Sequence, residues 1–225
     1  MTETITLKSR IDGFEFTALH APPIGARRGG VIVIQEVFGI DASVKRDVAR
    51  WASLGYEVIA PSMFDRQERN FVANHDAAGL QVGLKYARDN GDDNPLSDVQ
   101  ACIDSMKDKG PVYLVGYCYG GTITWRAASR AKGLAAASSY YGAGIAASAQ
   151  MPLSCPVICH FGGKDPYIPA SASEASVKAA HPDVPVYVYG NSGHGFNNEG
   201  PDADPADVKL ARQRTLDLFE KNAGR

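Results

Sequence analysis

The chain alternates between short apolar runs and longer stretches with helical spacing. Thr2–Lys8 and Phe14–Leu19 alternate in part around Asp12-Gly13, which predicts an opening β-hairpin. Val31–Gln35 is an apolar run of the kind buried on both faces of a sheet. Asp41 can cap a helix reaching Leu54, with Val44, Val48 and Trp51 on one face and Gly55 as the stop. Tyr56–Ala60 is the next strand, ended by Pro61. Helical patterns follow at Ala77–Arg88 and Ser97–Lys107, then a strand at Val112–Val115 and a helix at Gly120–Ala131. Strands at Ala135–Tyr140, Val157–Phe161 and Val186–Tyr189, a helix around Ser173–Ala180 and a closing helix over Pro205–Asn222 complete the pattern. The polar segment Ser62–Asn74 reads as a loop over one end of the sheet that shapes the pocket.

Alternation of strand and helix from Val31 onward implies an α/β fold with a mostly parallel sheet and helices on both faces. No Pro/Gly/Ser linker divides the sequence, so residues 1–225 are expected to form one domain. Ligands of such sheets bind beyond the carboxyl ends of the strands, so reactive residues just after strands matter most.

Composition narrows the partners. With 23 Lys+Arg against 25 Asp+Glu, the formal charge of -2 gives no basic face for nucleic acid. No apolar run approaches the roughly 20 residues of a membrane helix, and the first residues lack the pattern of a signal peptide. The expectation is a cytoplasmic protein without a membrane partner. The four cysteines, Cys102, Cys118, Cys155 and Cys159, are too few for a disulfide framework and are expected to be free thiols.

Four reactive positions follow strands. In Gly116-Tyr-Cys118-Tyr-Gly120-Gly121, small residues two places either side of Cys118 allow a sharp strand-to-helix turn. This is the G-x-S-x-G nucleophile elbow with cysteine in the serine position. The helix N-terminus there favours thiolate and a developing oxyanion, with the Tyr119 N–H as one donor. Asp165 follows Val157–Phe161, and His194 follows Val186–Tyr189. The chain order nucleophile, acid, histidine is that of α/β-hydrolases. In that arrangement His194 takes the thiol proton and later protonates the leaving group, while Asp165 holds the imidazole tautomer. Glu36 follows Val31–Gln35, in a loop positioned to supply the second oxyanion donor from Val37.

On these residues the sequence resembles the dienelactone hydrolase (carboxymethylenebutenolidase) family of α/β-hydrolases. The matching pieces are Gln35-Glu36-Val-Phe38-Gly39, Gly116-Tyr-Cys118-Tyr-Gly-Gly121, Tyr140-Tyr141-Gly142, Gly162-Gly-Lys-Asp165 and Gly193-His194-Gly-Phe196. The resemblance implies a cofactor-free hydrolase of small esters or lactones, as a monomer or small homo-oligomer. Cys118 is its nucleophile, His194 its base and Asp165 the partner of that base. It also implies that Glu36 helps generate the thiolate and that a tyrosine of the Tyr140-Tyr141 pair lies near the reacting centre; Tyr140 is the one favoured here. The founding members bind a substrate carboxylate with an arginine after the fourth strand, a serine directly after the histidine and an arginine three residues beyond. Here those last two places hold Gly195 and Asn198. Arg66 and Arg69 are the candidates for the first arginine, and Phe38 joins them as a substrate-contact candidate.

Other features read as structure. Cys155 and Cys159 lack two further ligands at zinc spacing, and with Cys102 are expected to pack in the core; no metal site is expected. His160, inside an apolar strand, reads as a satisfied core histidine. Gly142-Ala-Gly144 fits a dinucleotide fingerprint, but the helix such a site needs is not predicted. Two competing functions remain: a redox or amidotransferase-like reactive-cysteine protein, which lacks the downstream Asp and His, and a non-catalytic lactone-binding relative.

Overall fold

The computed structural model describes residues 2–224. Strands β1 (Glu3–Lys8) and β2 (Glu15–Ala21) form the antiparallel hairpin expected at the start. Its turn closes with the Ser9 N–H donating to Phe14 O (2.9 Å) and the Phe14 N–H to Asp12 Oδ1 (3.0 Å). Then come β3 (Gly29–Ile34), α1 (Ala42–Ser53), β4 (Tyr56–Pro61), α2 (Ala77–Asn90), α3 (Asp93–Met106), β5 (Val112–Tyr117) and α4 (Tyr119–Arg130). The chain continues through β6 (Ala136–Tyr140), α5 (Ile145–Ser148), β7 (Val157–Gly162), α6 (Ala170–Ala180), β8 (Val186–Tyr189) and α7 (Pro205–Lys221). Asp41 caps α1 as its place predicts, accepting from the Val44 N–H at 2.9 Å. The single turn α5 after Gly144 was not expected; at four residues it is too short for a nucleotide-binding helix.

The eight strands form one sheet in the order β1-β2-β4-β3-β5-β6-β7-β8. From β4 across to β8 every neighbouring pair is parallel, and the hairpin is joined to β4 antiparallel. β3, β4, β5, β6 and β7 are buried throughout, as expected of strands covered on both faces. The order reverses at β3, which has β4 on one side and β5 on the other. The loops leaving β3 and β5 therefore part and open a crevice at the carboxyl edge. Glu36 lies on the first of these loops and Cys118 on the second.

Strand parity decides what faces each helix layer. On one face α7 packs against α1, with Trp51 and Phe219 rings 5.2 Å apart, and Tyr113 of β5 stacks on Phe219 at 4.4 Å. On the same face the Tyr117 hydroxyl donates to Asp47 of α1 (2.6 Å). Ser138 and Tyr140 of β6 likewise meet Thr215 of α7, at 2.9 and 2.7 Å. The opposite face belongs to α4, where Ser139 donates to Gly121 O at 2.7 Å.

His160 is fully buried on β7, as its apolar surroundings predict. Its Nδ1 lies 2.8 Å from the Tyr189 hydroxyl and its Nε2 3.1 Å from Ser138 Oγ, so both ring nitrogens are served. Burial, with a smaller effect from Arg214, pushes its pKa down to about 3. The imidazole is neutral in the fold, whereas in the unfolded chain it protonates near pH ~6.5. Stability from this site is present above that pH and is lost as pH falls towards 3. Urea unfolding between about pH 7 and about pH 4 should show the loss, at up to about 1.4 kcal/mol per pH unit. His160→Gln should flatten that slope. An equal pH dependence in both proteins would show that His160 is not its source.

Candidate active site

The turn after β5 is built from small residues because the backbone leaves room for nothing larger. A Cβ on Gly116 would lie 2.2 Å from Gly120 O, and one on Gly120 would lie 2.5 Å from Ile34 O. Between them Cys118 adopts φ 53° and ψ -110°, a conformation that costs a non-glycine residue about 1–3 kcal/mol. Backbone hydrogen bonds hold it there: the Cys118 N–H donates to Tyr140 O (3.0 Å) and the Gly120 N–H to Gln35 O (3.1 Å). The half-buried thiol stands at the start of α4, where the Tyr119 N–H belongs to the first turn and points out of the helix. The Tyr119 side chain is directed away, its hydroxyl accepting from Asn90 Nδ2 at 3.2 Å.

Asp165 and His194 come together from the loops after β7 and β8. Asp165 Oδ2 lies 2.7 Å from His194 Nδ1, while its Oδ1 accepts from the N–H groups of Tyr167 (2.8 Å) and Ile168 (3.0 Å). Burial pushes Asp165 up, but His194 and the two amides outweigh it, and the carboxyl titrates below the usual range. Burial pulls the His194 imidazole down, yet Asp165 and Cys118 outweigh it and raise its pKa to about 10. With Nδ1 committed to Asp165, Nε2 is the nitrogen left for proton transfer with the thiol.

Glu36 is 6% exposed. Its Oε2 accepts from Asn198 Nδ2 at 2.7 Å, and its Oε1 is buried with no hydrogen-bond partner among the described residues. Burial raises its pKa, opposed by Asn198 and His194. Glu36, Val37, Phe38, Cys118 and His194 all line one cavity of about 800 Å³, together with Lys164 and Tyr167, whose ring lies 5.6 Å from that of His194. Phe38 is fixed there by stacking on His75 (3.9 Å), and His75 in turn lies 2.6 Å from Asp41 Oδ2. This set can perform nucleophilic acyl transfer: a thiol beside an oriented imidazole, helix N–H groups next to the sulfur, and room for a small ester.

Three expected substrate contacts are placed elsewhere. Tyr140 is the last residue of β6, and strand parity turns its hydroxyl to Thr215 under α7, away from the cavity. Tyr141 instead stands at the site, with its ring 5.1 Å from that of His194; a positive φ of 37° after the strand end turns it there. Alternation within the strand cannot reveal that reversal. Arg66 and Arg69 do not line the cavity. Arg66 donates to Asp98 (2.6 Å) and Asp12 (3.0 Å), and both guanidinium groups lie over the Phe14 ring, at 4.5 and 5.1 Å. Asp98 on α3 is buried and needs a cation, so Arg66 is drawn inward to tie hairpin, loop and helix together. The loop Ser62–Asn74 acts on the pocket only at second hand, bracing Phe38 through the Ala73 N–H to Phe38 O bond (3.0 Å) and the Gly39–Val72 bridge. Cys102, Cys155 and Cys159 are buried, and no cluster of metal-ligating side chains occurs among the described residues.

Comparison with known proteins agrees with this architecture. The sequence model of the dienelactone hydrolase family matches residues 16–223. A carboxymethylenebutenolidase of Pseudomonas putida is 28% identical over 230 residues, covering 97% of this chain and 96% of that protein. A solved Klebsiella pneumoniae protein assigned as a dienelactone hydrolase superposes with a TM-score of 0.83 at 24% identity, covering 98% of this chain and 99% of the other. The Pyrococcus furiosus esterase Pf2001 superposes with a TM-score of 0.73 at 12% identity, over 100% of this chain and 93% of its own.

The placement of Arg66 gives a direct test. Arg66→Met leaves Asp98 buried without its cation and should destabilise the protein by about 3 kcal/mol in urea unfolding. Turnover of a carboxylate-bearing lactone by the folded variant should match wild type. A rise in KM for that lactone with unchanged stability would return Arg66 to the substrate site.

Proposed function

The chain belongs to the dienelactone hydrolase family, a family of carboxylic-ester hydrolases, and on that premise we propose that it opens a small ester or lactone through a thioester on Cys118. The observation that carries this reading is the Asp165–His194 hydrogen bond (2.7 Å) beside a strained cysteine turn, with Cys118 and His194 facing one cavity.

The proposed steps use the residues gathered at the cavity. His194 takes the thiol proton, and the imidazolium so formed is stabilised by Asp165, which keeps Nδ1–H pointed at itself. The thiolate attacks the substrate carbonyl. The oxyanion that develops lies against the backbone N–H groups of Tyr119 and Val37. As the carbonyl re-forms, the C–O bond to the alkoxide breaks, and His194 gives its proton to that oxygen. Neutral His194 then removes a proton from water, hydroxide adds to the thioester, and the acid departs as the thiolate is released. Glu36 faces His194, and its ionised form favours the imidazolium needed in the first step. Phe38 supplies an apolar wall for the acyl group, and Tyr141 packs behind His194. Activated and cyclic esters suit this nucleophile, because an enol or lactone oxygen leaves readily. No cofactor enters these steps.

Wild type, Cys118→Ala and Asp165→Asn should be compared on 4-nitrophenyl acetate and on a dienelactone, with intact-protein mass spectrometry of the quenched reaction. Wild type should gain the mass of the acyl group and turn over. Cys118→Ala should lose both signals, and Asp165→Asn should retain folding while kcat falls on the order of 10³–10⁴-fold. Equal rates for wild type and Cys118→Ala would remove Cys118 as nucleophile. Peroxide-sensitive oxidation of Cys118 without any ester turnover would favour the redox reading.

A further inference from the structure

Two buried carboxylates of this chain have opposite settings. Glu57, 8% exposed, accepts from Arg27 (2.9 Å) and Lys109 (3.0 Å) and touches His20 (3.3 Å); burial pushes it up, but Lys109 and Arg27 outweigh burial and hold it below the usual range. Glu36, 6% exposed, forms no ion pair among the described residues: its Oε2 accepts from the neutral amide of Asn198, and the neutral Tyr141 hydroxyl lies beside it. The amide is itself held. Ser43 donates to Asn198 Oδ1 at 2.7 Å, which directs Nδ2 towards Glu36, and Arg46 donates to the Asn198 carbonyl at 3.2 Å. The second oxygen of Glu36 and the nearby Tyr141 hydroxyl are both buried without a hydrogen bond of ordinary geometry among the described residues, and each acts on the other.

We propose that Asn198 is a positioning residue. Locked by Ser43, it anchors Glu36 through one oxygen with a neutral donor, and through Glu36 it sets the acid limb of the reaction. This rests on the reading above, in which ionised Glu36 supports the His194 imidazolium. A cation in that place would hold Glu36 permanently ionised, as the cations around Glu57 do. Neutral donors stabilise the ionised form less than cations do, which leaves burial dominant. The other groups that act on Glu36 are His194 after β8, Asp41 at the start of α1 with its partner His75, Tyr141 after β6, and Cys118 across the same cavity. Asp41 opposes ionisation, while His194 and His75 favour it.

The test is the pH profile of kcat/KM for 4-nitrophenyl acetate, read at the isosbestic wavelength of the product. Asn198→Leu removes the donor, so the acid limb should move up by about one pH unit. In a Glu36→Gln background the same substitution should leave the limb where it is. Ser43→Ala frees the amide to turn and should shift the limb in the same direction by less; it carries the test if Asn198→Leu does not fold. Overlaying profiles for wild type, Asn198→Leu and Ser43→Ala, or an equal shift in the Glu36→Gln background, would overturn the proposal. Failure of the parent reading is seen separately: Cys118→Ala would then hydrolyse the ester at the wild-type rate.

Discussion

Everything at the carboxyl edge depends on the turn that holds Cys118 at positive φ. A strained cysteine persists only where its surroundings leave no alternative. Here the constraint comes from three sides. β6 takes the Cys118 N–H, the loop after β3 takes the Gly120 N–H, and the glycine pair lets α4 approach the strand end. The same contacts bring the Glu36 loop and the Tyr141 loop up against the elbow. Strain, sheet order and site geometry are thus one arrangement. The crevice exists because the order reverses at β3, and the elbow fills that crevice because β5 is the strand on its other side.

Charge at the site is controlled by what each buried carboxylate can bond to. Asp165 is satisfied on both oxygens, by one imidazole and two amides, and therefore stays ionised beside His194. Glu36 is under-satisfied, and burial raises its pKa. The contrast gives one carboxyl group the role of fixed counter-ion and the other a titrating role, although both lie within reach of the same imidazole. The raised His194 pKa follows from the first of these and from the thiol.

Away from the cavity, polar side chains are spent on joining layers. Thr215 of α7 collects Ser138 and Tyr140, and Asp47 of α1 collects Tyr117, Arg50 and Trp51. Arg66 joins the hairpin turn to α3. Such groups resemble functional residues when read along the chain, because arginine or tyrosine near a strand end suits substrate binding equally well. Tyr117, Tyr140 and Arg66 are instead claimed by partners from segments distant in sequence, while Arg50 and Trp51 meet Asp47 within their own helix.

The sequence by itself determined the α/β architecture, the hairpin, most helices and the frame around Cys118, Asp165 and His194. These are local or periodic features: apolar runs, an Asp cap, glycines two residues either side of a turn, and reactive residues placed directly after strands. Only the tertiary structure decided which tyrosine packs against His194, where Arg66 and Arg69 point, and what holds Glu36. Those answers depend on a φ reversal after β6, on a buried aspartate on α3 that draws Arg66 inward, and on an asparagine 162 residues away in the chain. Periodicity carries which face of an element is buried, but not which buried partner a polar group will meet there.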